Sequence, residues 1–344
     1  VNFTKIFRFT ALLLVFGSIG MFIGFLDWFR EMSKPAPAGI HSEIFIEPGS
    51  NTRQIATLLK THKIIRSALI FRIYVKFIAV DQRLRPGVYT FNGSETLYEV
   101  IFKLLRGIMP TVQVTLPEGT TIARAAAILQ DSGICNALEF TEAVSDPQIL
   151  GKVFSDWQLI PAPEGLIFPD TYSFNRPSSA AKVAERMLRL TRHQIDRIFI
   201  EPLPAGLSQY EGCILASIIE KEAALTPDRA LIASVFYNRL KRNIKLESCA
   251  TVLYALGGHK ARVLFDDLKI NSPFNTYINQ GLPPTPIANF GTSAMAAVAN
   301  PAETDYLYFV SDGNRGHKFA RSLSEHNRFR NEFFKQRKQA RRNN

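Results

Sequence analysis

The chain has 344 residues, 46% hydrophobic and 21% charged, which leaves room for two or three domains and excludes an intrinsically disordered chain. Its formal charge of +11 would suit a nucleic-acid binder, but from Arg328 onward seven Lys and Arg stand against Glu332 alone, so +6 of the excess lies in a short tail. No zinc-finger spacing, helix-turn-helix pattern or basic stretch interleaved with aromatics accompanies it, so no nucleic-acid partner is expected.

Phe9 to Leu26 is a run of 18 uncharged residues, preceded by Lys5 and Arg8 and followed by Asp27, Trp28 and Arg30. That length can span a bilayer core at about 1.5 Å per residue, and no small-residue cleavage site follows it. Residues 1–30 are therefore expected to be a cytoplasmic N-terminus and transmembrane anchor, with everything after them exported. Ser33 to Gly39, rich in Pro and Ala, falls in a linker over 31–42.

An internal repeat follows. The segment from Glu47 (EPGSNTRQIATLLKTHKI) and the segment from Pro117 (PEGTTIARAAAILQDSGI) align Gly49 with Gly119, Ala56 with Ala126, Leu59 with Leu129 and Ile64 with Ile134. Each follows a β-branched run, so each copy reads as strand, glycine turn, helix. Between them the pattern gives a second helix over Ser67 to Ile78, a strand at Gly87 to Phe91 and a helix at Thr96 to Arg106. Strand, helix, helix, strand resembles the layout of LysM glycan-binding modules, and 43–108 is expected to be such a module. Residues 109–202 read as a linking region holding the second copy.

Gly212 to Ala224 (GCILASIIEKEAA) is the stretch where chemistry is expected. At about 100° per residue, Ile214, Leu215, Ile218 and Ile219 make one apolar stripe, and Glu222 falls inside it. Glu220 falls on the opposite side with Cys213 and Ser217, where a carboxylate can stay wet. Desolvation would raise the pKa of Glu222 and suit it to hold a proton as a general acid. The same pattern also fits a helix-end glutamate paired with a Lys or Arg. Downstream, Thr226 and Pro227 fit a helix start. SVFYNRL carries Asn238, and SPFNTYINQGLPPTPIANFG carries Asn275 and Tyr277 on a proline-stiffened loop whose uncharged hydrogen-bonding groups suit sugars. Cys135, Cys213 and Cys249 form no CxxC pair and no metal framework. Cys213 and Cys249 flank the site, and a disulfide between them stays open.

LASIIEKE, VFYNRL, FNTYINQGLPPTPIANFG, YLYFVSDG and GHKF, in that order, resemble the MltG/YceG-like family of membrane-anchored endolytic murein transglycosylases. The resemblance implies an α+β protein of the inner membrane, with anchor, LysM-like module and a mixed catalytic domain over 203–334, then a basic tail at 335–344. It implies cleavage of the MurNAc–GlcNAc bond of nascent peptidoglycan to 1,6-anhydro-MurNAc ends, limiting strand length in wall synthesis beside penicillin-binding synthases. The catalytic acid would be Glu222, with Asn238, Asn275 and Tyr277 lining the cleft and no cofactor or metal required. Ala223 stands where the family usually has Thr, and Cys249-Ala250-Thr251 where it usually has Asp-Pro-Thr. A hydrolytic muramidase and a non-catalytic glycan-binding scaffold remain as alternatives.

Overall fold

The computed structural model describes residues 20, 22–30, 34, 42–107, 111–157, 160–258, 260 and 263–343. Most of the apolar run Phe9 to Leu26 lies outside them, and so does the linker 31–42 apart from residues 34 and 42. Among the described residues no helix is long and apolar enough to cross a membrane. The chain divides into two compact units, Val1–Thr111 with Asn175–Pro177, and Val112–Phe174 with Ser178–Asn344.

The first unit runs β1 (Ser42–Ile46), α1 (Thr52–Thr61), α2 (Ala68–Phe77), β2 (Gly87–Phe91) and α3 (Leu97–Arg106). Strands β1 and β2 pair antiparallel with Ile44 opposite Tyr89. Alternation turns Ile44 and Ile46 inward against Ala56, Leu59, Phe71, Val75 and Leu104, which form the core. Both flanking helices start on capping boxes: Asn51 with Gln54 and Thr96 with Glu99 exchange side-chain and backbone bonds, satisfying otherwise orphaned amides.

In the second unit β3 (Thr111–Thr115) pairs with β4 (Thr171–Asn175). Between them lie α4 (Ile122–Asp131), α5 (Ala137–Val144) and α6 (Pro147–Val153). The sequence repeat has a matching local structure. Gly49 and Gly119 both take positive φ, 86° and 73°, and the helices that follow end alike, with the Ile64 amide on the Leu59 carbonyl (2.9 Å) and the Ile134 amide on the Leu129 carbonyl (3.0 Å). Only glycine takes the turn conformation without strain.

Residues 109–202, expected to be a linking region, contribute Val114, Leu129, Phe140 and Phe154 to one core with Leu215, Ile218, Phe236 and Phe290. That core is completed by α7 (Ala180–Ile198), α8 (Gln209–Glu222), α9 (Thr226–Lys241), α10 (Cys249–Ala255) and α11 (Thr292–Ala299). The hairpin β5 (Tyr308–Ser311) and β6 (His317–Ala320) and the last helix α12 (Leu323–Asn343) follow. Helix α9 begins at Thr226 itself, with Leu225 in the capping position and no side-chain cap, so Thr226 is not the cap the sequence pattern suggests.

Candidate active site

Helix α8 is buried on all sides over residues 212–219. Cys213 and Ser217, expected on a wet face, are fully enclosed, because α9, α10 and α11 all pack against the helix. Such a helix is hydrophobic nearly all round rather than along one stripe. Ser217 adapts to burial by donating to the Ile214 carbonyl (2.7 Å) and accepting the Ile287 amide (3.0 Å).

The two glutamates at the end of α8 have different partners. Glu220 does not stay wet: its side chain is 4% exposed and its Oε1 accepts from Arg229 at 2.7 Å. Its Oε2 accepts the Gly291 amide at 3.0 Å. Arg229 also lies 3.7 Å from Glu118, and a Cβ at Gly291 would collide with the Glu118 carboxylate, so glycine there lets the cluster close. Burial pushes the Glu220 carboxyl up, opposed by the Gly291 N–H and by Arg229. An arginine held this way ties α8, α9 and the start of α11 together.

Among the described residues no Lys or Arg forms an ion pair with Glu222. It is half-buried as a residue, and its Oε1 accepts from the Ser248 hydroxyl at 2.5 Å and from the Ala250 amide at 3.5 Å. Desolvation of its charged form pushes its carboxyl above the usual range, opposed by those two donors and by the charge of His317. This is the environment that keeps a carboxylic acid protonated closer to neutrality.

Ser248 is positioned by the loop before α11. Its amide donates to Thr276 Oγ1 (3.0 Å), Thr251 Oγ1 donates to the Ser248 carbonyl (2.9 Å), and the two threonine hydroxyls meet at 2.9 Å. Glu247, one residue earlier, sits at a φ of 53° with its amide on the Thr276 carbonyl. A non-glycine residue in that region is held there by its surroundings. Tyr277 is half-buried with its hydroxyl 3.1 Å from Cys249 Sγ. Burial pushes both the phenol and the thiol up, and the charge of Glu222 adds to each.

The other two residues expected to line the cleft are built into its walls. Asn275 is wholly buried, donating to the Leu268 and Ile270 carbonyls (2.9 Å each) and accepting the Tyr277 amide (3.0 Å). Asn238 donates to the Thr304 and Tyr306 carbonyls at 2.8 and 3.0 Å. Its neighbour Arg239 is buried and reaches the Leu307, Lys245 and Leu246 carbonyls and Glu247. The Asn-Arg pair thus secures backbone. Cys213 and Cys249 are both free, the first buried and the second exposed, so they form no disulfide.

Two residues were not chosen by sequence reasoning. Ser248 sits one position before the departure Cys249-Ala250-Thr251, and only the turn at Glu247 aims it at Glu222. His317 comes from the far hairpin, its Nδ1 2.8 Å from Asp228 Oδ2 and its ring edge-on to Phe309. The GHKF block was the available signal for it. Among the described residues no three His, Cys, Asp or Glu side chains gather into a metal site.

The chain matches the family model described as the YceG-like family over residues 44–332. It is 35% identical over 303 residues to a Bacillus subtilis protein named endolytic murein transglycosylase, with 84% of each chain covered. A Streptococcus pneumoniae protein of the same name is 30% identical over 312 residues, covering 82% of this chain and 56% of that one. A solved yceG-like protein of Listeria monocytogenes is similar at a TM-score of 0.58 and 32% identity, covering 85% of this chain and 99% of the other. With the family model spanning both units and helix α8, the chain belongs to the YceG-like family.

Proposed function

We propose that this chain is an endolytic peptidoglycan lytic transglycosylase whose one catalytic carboxyl group is Glu222. The observation that carries the reading is the contrast among carboxylates. Glu222 is met by neutral donors, whereas five carboxylates near it in sequence are each tied to a basic side chain. Glu220 is bound to Arg229, Glu247 to Arg239, Asp266 to Lys269, Asp267 to Lys260 and Asp228 to His317. A glycosidase that uses water or a covalent intermediate needs two carboxyl groups. A lytic transglycosylase needs one.

In that mechanism protonated Glu222 gives its proton to the glycosidic oxygen as the bond from that oxygen to the muramoyl anomeric carbon breaks. The muramoyl 6-hydroxyl attacks the same carbon from within the sugar, and its proton passes to the Glu222 carboxylate. Acid and base are then one residue, and it ends the cycle protonated. Ser248 orients the carboxyl and supports its charged form between the two transfers. Tyr277, with its hydroxyl near the acid, is the remaining candidate for contact with the sugar.

The homologues named murein transglycosylases support the substrate class. Residues 9–26 as a membrane anchor, 43–108 as a LysM-like module that holds glycan, an exported catalytic unit and penicillin-binding synthases as partners complete the proposal. A hydrolytic muramidase is the second reading, favoured by His317. Held by Asp228 within electrostatic reach of Glu222, its imidazole is the group that would take the proton of an attacking water in that reading. Digestion of sacculi in heavy-oxygen water separates the two. Anhydro ends without label support the transglycosylase, and reducing ends carrying the label support the hydrolase.

A further inference from the structure

Helix α2 buries Ile70, Phe71 and Val75 in the first unit's core. On its outer side Leu69, Ile73 and Phe77, spaced four residues apart, are 54%, 41% and 84% exposed. Single exposed apolar residues are ordinary on a soluble surface, but three in register form a stripe that needs a partner. Beside the stripe is a hollow of about 500 Å³ lined by Leu69 and Ile73 together with Arg53, Arg72, Lys76 and Asp81. None of its three cations forms an ion pair among the described residues. The unit as a whole is basic, with ten Lys and Arg against five Asp and Glu over residues 42–107.

The surroundings indicate what covers this face. Residues 22–30 are helical and hold the end of the uncharged run with its flank Asp27, Trp28 and Arg30. Phe29 packs on Tyr74 of α2 with ring centroids 5.8 Å apart. Tyr74 is three residues from Phe77, about 60° away around the helix. A second, largely apolar hollow of about 770 Å³ lies between Leu26, Phe29, Tyr74, Leu97 and Tyr98. Tyr98 and Phe102, also exposed, stack at 5.9 Å. Tyr74, Tyr98 and Phe102 thus place aromatic surface of this unit where residues 22–30 meet it, one step around α2 from Phe77.

We propose that the face formed by Leu69, Ile73 and Phe77 with Arg53, Arg72 and Lys76 docks on a bilayer surface of anionic phospholipid. The apolar stripe would enter the headgroup region and the cations would take lipid phosphates, as in interfacial amphipathic helices. The inference rests on the reading of residues 9–26 as a membrane anchor. Docking would fix the first unit flat on the lipid, setting where the chain meets glycan emerging near the membrane.

Hydrogen exchange of residues 68–77 tests it, with the full chain reconstituted in vesicles of mixed phosphatidylglycerol and phosphatidylcholine, and in phosphatidylcholine alone. Each cation near an anionic surface adds attraction, so exchange in the mixed vesicles is expected to slow by about tenfold relative to the neutral ones. Arg72→Glu with Lys76→Glu, and separately Leu69→Ser with Phe77→Ser, should abolish the slowing while exchange in α3 stays unchanged, which checks folding. Equal exchange in both vesicles would overturn docking. So would protection that rises with protein density, which marks a second copy, or protection reproduced by soluble polyglutamate. Failure of the chain to float with vesicles at all would sink the anchor and the docking together. A floating chain with an unprotected stripe would sink the docking alone.

Discussion

The Ser248 hydroxyl donates to Glu222 Oε1 at 2.5 Å, so the acid is oriented by a neutral group that is itself pinned by Thr276. Ser248→Ala leaves that oxygen with the Ala250 amide alone. Losing an orienting bond of about 1–3 kcal/mol lowers kcat by roughly tenfold to a hundredfold. Because this bond favours the charged form, its removal raises the acid's pKa further, and the alkaline limb of the kcat/KM profile moves to higher pH. An unshifted limb with full activity would show that Ser248 does not act through the acid.

Glu222 also ties stability to pH. Its folded pKa is raised above the unfolded value, so between the two the native state binds the extra proton. Stability is therefore lost as pH rises from the unfolded carboxylate pKa through the folded one. Glu222→Gln keeps an acceptor for Ser248 and removes this penalty. Urea melts of the variant should show a higher midpoint than wild type at neutral pH, with the gap closing toward pH about 4.

The ion pair between Glu220 and Arg229 predicts the opposite phenotype. Glu220→Ala strands a buried guanidinium and should lower the unfolding free energy of the second unit by about 3–5 kcal/mol. Glu220→Ala with Arg229→Met removes both charges and should recover most of that loss. A double-mutant cycle with no coupling would contradict the structural role assigned to Glu220.

The burial of Glu222 was legible because its position relative to Ile214, Leu215, Ile218 and Ile219 depends only on helix periodicity. The repeat was legible for the same local reason: a glycine turn and a helix end recur at Gly49 and Gly119. What sequence periodicity could not supply was packing between distant segments. It placed Glu220 in solvent because it could not see Arg229 and Gly291 arriving from α9 and the start of α11. It could not report that Asn238 and Asn275 bond backbone, because a carboxamide that binds backbone has the same composition as one that binds a hydroxyl. His317 meets Asp228 across 89 residues, a separation that no local pattern reports.

The departure at Cys249 can be reversed. Cys249→Asp introduces the residue that the family resemblance leads one to expect there and sets a carboxylate in the electrostatic neighbourhood of Glu222. Like charge disfavours ionisation of the acid. The alkaline limb of the pH profile should move upward, and Tyr277, whose hydroxyl is 3.1 Å from the thiol, gains an acceptor. A downward shift would mean that residue 249 acts on the acid through something other than charge.

The most direct test of the central claim is mass analysis of sacculi digested by wild-type chain and by Glu222→Gln, with circular dichroism showing both folded. Anhydromuramoyl ends from wild type and none from Glu222→Gln is the predicted result. Anhydromuramoyl ends from a folded Glu222→Gln variant would contradict the assignment of Glu222 as the sole acid and base.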